Sequence, residues 1–149
     1  MRVSLHAVSS ENWRDVASLQ VTEVQRLFVA EPSCYLARCC CGKDWHPLAI
    51  YTDARVIGFM IWALDPADGS CWLGGALIDQ ACQGQGYGRE AVRAAIRVLS
   101  EAEGYQDFAL SYSPSNTRAK HLYETLGFVE TDDWEGNEIV ARLSVEGLI

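Results

Sequence analysis

The sequence predicts an α/β (α+β) chain, with a mostly antiparallel sheet flanked by helices. Three observations point there. Between Leu48 and Ile78 the chain carries three apolar runs of strand length, separated by tight-turn residues, which reads as an antiparallel meander. The third run leads into Gln83-Gly84-Gln85-Gly86-Tyr87-Gly88 and then a long amphipathic helix. Beyond that helix, a strand, a shorter helix and two closing strands complete the chain.

Length and composition fit this class. The 149 residues suit a single domain, residues 1–149, long enough for a real core. The apolar runs are too short to cross a bilayer, and the N-terminus lacks the apolar region of a signal peptide, so a cytoplasmic protein is expected. The formal net charge of −8 disfavours nucleic acid and anionic membrane as partners and is compatible with a cationic substrate. The six cysteines, Cys34, Cys39, Cys40, Cys41, Cys71 and Cys82, lack the paired spacing of a zinc site, so reduced thiols and no metal are expected.

The elements follow in order. Val3 to Val8 alternates apolar and polar side chains, which predicts a strand. Ser9, Ser10, Glu11 and Asn12 offer capping groups for a helix over Trp13 to Gln20. Val21 to Ala30 reads as a loop or short helix. A second helix is expected over Cys34 to Cys41, capped by Ser33 and stopped by Gly42. The meander strands are Leu48–Tyr51, Val56–Leu64 and Trp72–Ile78, with turns at Thr52–Arg55 and Asp65–Gly69. In the helix from Arg89 to Glu103, Val92, Ala95, Ile96 and Leu99 form an apolar face. Glu90, Arg93, Arg97 and Glu101 are expected to face water, with Arg97 and Glu101 spaced for an ion pair. Phe108–Tyr112 is the next strand. Ala119, Leu122, Tyr123 and Leu126 stripe a shorter helix ending at Gly127. Phe128-Val129 and Ile139–Val145 are the closing strands, joined by a turn around Trp134 to Asn137.

A strand, a glycine turn and a helix N-terminus together make an anion site. Glycine lets the backbone come close to a ligand, and the first helical N–H groups and the helix dipole favour negative charge. The P-loop pattern fails, because no Lys-Ser/Thr pair follows Gly88. The dinucleotide fingerprint fails too, because the glycines fall as Gly-x-Gly-x-Gly and the acidic residues Glu101 and Glu103 lie in the same helix. Gln-Gly-x-Gly-x-Gly resembles the coenzyme A loop of the GNAT superfamily of N-acetyltransferases. Asn116, Ala119, Tyr123, Gly127 and Phe128, as Asn-x-x-Ala-x-x-x-Tyr-x-x-x-Gly-Phe, look like that family's second motif. The two cover residues 72 to 128. Gln25, Phe28-Val29, Ala49-Ile50-Tyr51, Gly58-Phe59 and Leu110-Ser111-Tyr112 with Pro114 are similar to bacterial spermine/spermidine (diamine) N-acetyltransferases.

The resemblance implies the GNAT fold: a central, mixed, mostly antiparallel sheet of six to seven strands with about four helices. It implies acetyl-CoA as co-substrate and transfer of its acetyl group to a small amine, such as a polyamine. Backbone N–H groups of the Gln83–Arg89 segment (Gln83, Gly84, Gln85, Gly86, Tyr87, Gly88 and Arg89) match the pyrophosphate site. Ala76, Leu77 and Ile78 match the strand that pairs with the pantetheine arm, and Ala109, Leu110 and Ser111 match the opposite wall. Asn116 matches a CoA-contacting position and also suits a helix N-cap. Tyr123 matches the residue that protonates the departing thiolate; its plain alternative is a core residue on the face of Ala119 and Leu122.

The chain departs from the family at the base. Many relatives carry Glu where this chain has Gly74, next to Gly75. A bound water, Asp79 or a carboxylate from elsewhere is left to take the proton. Glu23, Glu31, Asp65 and Asp68 are candidates to meet a cationic amine, each with a solvated surface position as its alternative, and His121 is expected to face solvent. Acetylation of a protein N-terminus or lysine, and a noncatalytic acetyl-CoA sensor, remain rival readings. The oligomeric state stays open, with a homodimer one option.

Overall fold

The structure, a computed structural model, describes residues 2–41 and 44–145. Seven strands form one sheet in the order β1-β2-β3-β4-β5-β7-β6. Its strands are β1 (Ser4–Ala7), β2 (His46–Thr52), β3 (Arg55–Leu64), β4 (Cys71–Ile78), β5 (Asp107–Tyr112), β6 (Val129–Glu135) and β7 (Glu138–Ser144). All neighbours are antiparallel except β4 and β5. The helices are α1 (Trp13–Ala17), α2 (Pro32–Cys41), α3 (Tyr87–Glu103) and α4 (Thr117–Thr125).

The sheet buries both faces. Alternate residues of β5, Phe108, Leu110 and Tyr112, pack with Val92, Ala95, Ile96 and Leu99 of α3. The face expected for that helix is therefore its buried face. On the other side, Phe59, Ile61 and Leu77 pack under Val16, Leu19, Tyr35 and Leu36 of the α1–α2 region. A third cluster joins Val3, Ile50 and Ile57 to Ala91, Ala94 and Cys82, which fixes the start of α3 against β1 and β2.

Several boundaries differ from the sequence expectation. α1 stops at Ala17, short of the expected Gln20, whereas the segment expected as a loop or short helix is a loop holding one 3₁₀ turn, Gln25–Leu27. The buried Asn12, one of the expected capping residues, holds the N-cap position of α1 but makes no side-chain bond to the helix, and its side chain ties down the preceding segment instead. Its Oδ1 accepts the Ser9 N–H at 2.8 Å, and its Nδ2 donates to Ala7 O and to Tyr51 Oη, both at 3.1 Å. α2 begins at Pro32, so Ser33 lies inside its first turn; proline suits that position because the N–H it lacks would have no helical partner. The expected stop at Gly42 lies outside the described residues. Trp134 and Glu135, placed in a turn by the sequence, end β6 instead, and the turn is Gly136-Asn137.

Two polar expectations also change. Glu90 is drawn into an ion pair with Arg2 at 2.6 Å. Among the described residues no ion pair joins Arg97 to Glu101; the helical pair four residues apart that does form is Lys120–Glu124 at 4.0 Å.

Candidate functional site

The site begins where β4 leaves β5. Among the described residues their parallel ladder holds only Cys71 to Phe108 and Trp72 to Ala109. Beyond these rungs the strands separate, and a cavity of about 550 Å³ opens between them. A register shift between Phe59 and Ile61 marks an irregularity in the β3–β4 ladder there. Gly75 sits at φ +58, and a Cβ on it would lie 3.1 Å from the Tyr35 ring. A Cβ on Gly74 would lie 3.5 Å from Ile61 Cγ1 and 3.6 Å from Trp45 Cζ3. Tyr35 and Trp45 thus cover the strand where it carries no side chain of its own.

The glycine loop forms the next wall. Gly84 (φ +77) and Gly86 (φ +83) both adopt the left-handed conformation. Gly86 is the N-cap of α3, and the first intrahelical bond runs from Glu90 N–H to Gly86 O at 3.1 Å. The N–H groups of the preceding turn have no helical acceptor, and the positive end of the helix dipole lies with them. Gly84, Gly86, Tyr87, Gly88 and Arg89 line the cavity, whereas Gln85 does not. The Gln85 carbonyl is held outside by Arg2 Nη2 at 2.6 Å. Carbonyl and N–H point opposite ways across a trans peptide, so this contact turns the Gly86 N–H away from Arg2. Arg2 also donates through Nε to Glu90 Oε1 at 2.6 Å and stands 4.5 Å over the Tyr87 ring. Its hydrogen bond keeps the Glu90 carboxyl below the usual range.

Side chains tie the loop to the rest of the cavity. Gln83 Nε2 donates to Ile78 O at 2.8 Å and to Gln25 Oε1 at 2.6 Å, joining β4 to the 3₁₀ turn across the mouth. Arg89 Nη2 donates to Thr125 O at 3.3 Å and links α3 to α4. Asn116 is the N-cap of α4, its Oδ1 accepting the Ala119 N–H at 3.3 Å, and it also lines the cavity.

Tyr123 reaches the same cavity from α4. Its ring stacks on Tyr112 at 5.9 Å and meets Phe128 edge-on at 5.9 Å. Burial, with smaller contributions from Glu138 and Tyr35, pushes its phenol up to about 12. The group is therefore protonated throughout the neutral range and is available there as an acid or hydrogen-bonding hydroxyl, not as a phenolate base.

Ala76, Leu77 and Ile78 line the cavity along β4, as the sequence placed them. Ala109, Leu110 and Ser111 do not. Ala109 and Leu110 are buried in the sheet, and Ser111 Oγ donates to Glu138 Oε1 at 2.8 Å. Ser115 to Ala119 supplies the facing wall instead.

The carboxylates named from sequence fare differently. Asp79 is a cap: its Oδ2 accepts the Ala81 N–H at 3.2 Å and its Oδ1 the Gln20 N–H at 3.0 Å. Asp65 and Asp68 sit in the β3–β4 turn, at the opposite end of β4 from the glycine loop. Asp65 accepts from Ala67, and Asp68 accepts from Ser70 and pairs with Arg142 at 3.4 Å. Glu23, Glu31 and His121 are exposed. Sequence reasoning missed Arg2, Tyr35 and Trp45, which lie outside both motifs: Arg2 holds the glycine loop from outside, and Tyr35 and Trp45 cover Gly75 and Gly74 through tertiary structure alone. Among the described residues no group of three or more His, Cys, Asp or Glu side chains could hold a metal ion. Nor is any helix among them long and apolar enough to cross a membrane.

Comparisons with known proteins agree with this geometry. The model of the acetyltransferase (GNAT) family matches residues 11–128. The chain is 26% identical to a spermine/spermidine N(1)-acetyltransferase of Bacillus subtilis (strain 168), over 95% of this chain and 99% of that protein. Among solved structures, an aminoglycoside acetyltransferase in complex with coenzyme A superposes with a TM-score of 0.78 at 17% identity, covering 98% of this chain and 96% of the other. The spermidine N-acetyltransferase of Vibrio cholerae, in complex with CoA and spermine, gives 0.73 at 19% identity, covering 95% and 93%. The seven-stranded sheet and the span of the family match together make this chain a member of the GNAT family of acetyltransferases.

Proposed function

We propose that the protein transfers the acetyl group of acetyl-CoA to a primary amine of a small polycation, with polyamines the first substrates to test. One observation carries the reading: a single cavity joins the N-terminus of α3, the open edge of β4 and the Tyr123 side chain. The first suits a pyrophosphate, the second an extended amide-bearing arm, and the third a leaving thiolate. The polycation part rests on the net charge of −8 and on the name of the Bacillus relative.

Each group then has a task. Backbone N–H groups from Gly84 to Arg89 hold the pyrophosphate. The unpaired edge of β4 at Ala76 to Ile78 aligns the pantetheine arm. Tyr123 gives its proton to the sulfur as the carbon–sulfur bond breaks. Holding amine and thioester in one geometry supplies much of the acceleration, since an intermolecular encounter becomes an intramolecular one.

The test is a thiol-release assay with acetyl-CoA over polyamines, aminoglycosides, amino acids and peptides. Turnover highest on spermidine or spermine is expected. Turnover on peptides alone would favour a protein acetyltransferase. Tight acetyl-CoA binding with no turnover on any amine would favour a sensor.

A further inference from the structure

We propose that Glu138 receives the acceptor ammonium and takes its proton, the task that Gly74 and Gly75 leave without a side chain on β4. The inference rests on the acetyl-transfer reading above and names its missing base.

The strand registers place the carboxylate. Gly74 and Trp72 point to one face of β4, and Trp72 pairs with Ala109. Ala109 and Ser111 share that face on β5, and Ser111 pairs with Val140. Glu138 lies two residues before Val140 and so points the same way. The Arg142 guanidinium lies 5.7 Å from the Trp72 ring, which confirms that β4, β5 and β7 present these positions on one side. Gly74 and Glu138 therefore share a face of the sheet, away from α3 and α4.

Position along the strands is equally specific. β4 and β5 run parallel and part after Trp72–Ala109, so their C-terminal ends frame the opening. Glu138 stands at the C-terminal end of β5, where Ser111 Oγ holds its Oε1 at 2.8 Å. That bond fixes the carboxylate and leaves Oε2 for a ligand. Glu138 is half-buried, and among the described residues no Lys, Arg or His lies within 4.0 Å of its carboxylate. A half-buried carboxylate without a cation suits an ammonium ion. Its charge is also among those that raise the Tyr123 phenol, after burial.

The protons balance. An N–H bond of the ammonium breaks and its proton passes to Glu138, leaving a lone pair on nitrogen. The C–N bond forms and the C–S bond breaks, and the sulfur takes the Tyr123 proton. The second proton on nitrogen restores Tyr123, and Glu138 releases its own to water.

The experiment compares wild type with Glu138→Gln, Glu138→Asp and Ser111→Ala on the best amine. Glu138→Gln keeps the Ser111 bond and should lower kcat/KM by about 10²–10⁴-fold, the range for losing a general base. Its acetyl-CoA Kd and Tm should match wild type. Glu138→Asp should recover part of the rate, and Ser111→Ala should lose about fivefold, as for one hydrogen bond. A Glu138→Gln rate within threefold of wild type, on the order of the smallest hydrogen-bond effect, overturns the proposal. Titration of spermidine into each CoA-saturated protein separates this failure from failure of the wider reading. If wild type binds spermidine without turnover, transfer fails, yet a loss of about tenfold in affinity in Glu138→Gln still supports the ammonium site. Equal affinities, or no binding to wild type, overturn it.

Discussion

The two ends of the cavity are built by different means. The coenzyme end consists of backbone: left-handed Gly84 and Gly86 and the first turn of α3, within a few consecutive residues. The proposed acceptor side, beyond the residues that line the cavity, would draw on side chains from distant parts of the chain: Tyr35 of α2 and Trp45 before β2, which cover Gly75 and Gly74, and Ser111 of β5, which holds Glu138 of β7. A backbone site is written in the order of glycines. A side-chain site is assembled only when the sheet forms. Variants of the first should change coenzyme affinity, and variants of the second should change amine turnover.

Tyr123 stands between the two and should give the largest effect. Tyr123→Phe keeps the ring that stacks on Tyr112 and Phe128 and removes only the hydroxyl. kcat should fall by about 10²–10⁴-fold with little change in acetyl-CoA affinity. The phenol's folded value, about 12, lies above its ordinary 10.0. The stability linked to that shift is therefore complete below the ordinary value and lost as pH rises through the folded one. The wild-type rate should accordingly show no loss from Tyr123 ionisation until strongly alkaline pH. A near-normal kcat for the variant, with an unchanged melting curve, would make Tyr123 a core residue.

Gly86→Val tests the coenzyme end alone. At φ +83 any side chain is strained, and a Cβ would lie 3.2 Å from Arg2 Nη2. Strain of this kind is on the order of 1–3 kcal/mol and is relieved by moving the loop out of its ligand-ready shape, so acetyl-CoA affinity should fall about 5- to 150-fold. Spermidine affinity should stay unchanged. If both affinities fell together, the two ends would not be separable.

These differences explain what could be read from the chain. The glycine loop, the apolar face of α3 and the Asn116-to-Phe128 motif are local patterns, and the structure keeps each of them in place. The seven strands were legible for the same reason, as short periodic runs. The carboxylates were not. Asp79 looked available because it follows the strand, but its two oxygens bind backbone N–H groups of Gln20 and Ala81, the first of which lies 59 residues away. Glu138 had no signal, because its place depends on β7 inserting between β5 and β6. The wall assigned to Ala109, Leu110 and Ser111 lies at Ser115–Ala119 instead, because Ala109 and Leu110 are buried in the sheet and Ser111 Oγ is tied to Glu138.

Arg2→Ala should give a smaller effect, confined to the coenzyme end. The variant frees the Gln85 carbonyl and the Glu90 carboxylate while leaving the loop sequence intact. Acetyl-CoA KM should rise about three- to tenfold with kcat unchanged, since one or two exposed hydrogen bonds are lost. Glu90 sits below its usual range because of Arg2, so the contact stands at neutral pH and is lost as pH falls through that lowered value. The gap between variant and wild type should close in the same acidic window. A gap that persisted there would assign the effect to something other than the ion pair.

The smallest expected effect concerns the thiols, and it sharpens the same contrast. Among the described residues Cys34, Cys39, Cys40, Cys71 and Cys82 are free. A reducing agent should therefore leave Tm unchanged, whereas loss of a real disulfide would cost about 2–5 kcal/mol and lower it by several degrees. Labelling with a thiol reagent distinguishes the regions further. Cys34 and Cys40 are exposed on α2 and should react in the native protein. Cys82 precedes the glycine loop at 7% exposure, and burial pushes the Cys71 thiol up to about 12, so both should react only through opening of the fold. Saturating acetyl-CoA binds the folded loop and raises the cost of opening it, so Cys82 labelling should slow further while Cys34 labelling does not. Equal slowing at both cysteines would mean that coenzyme binding also closes α2, and the two ends of the cavity would then act as one mechanical unit.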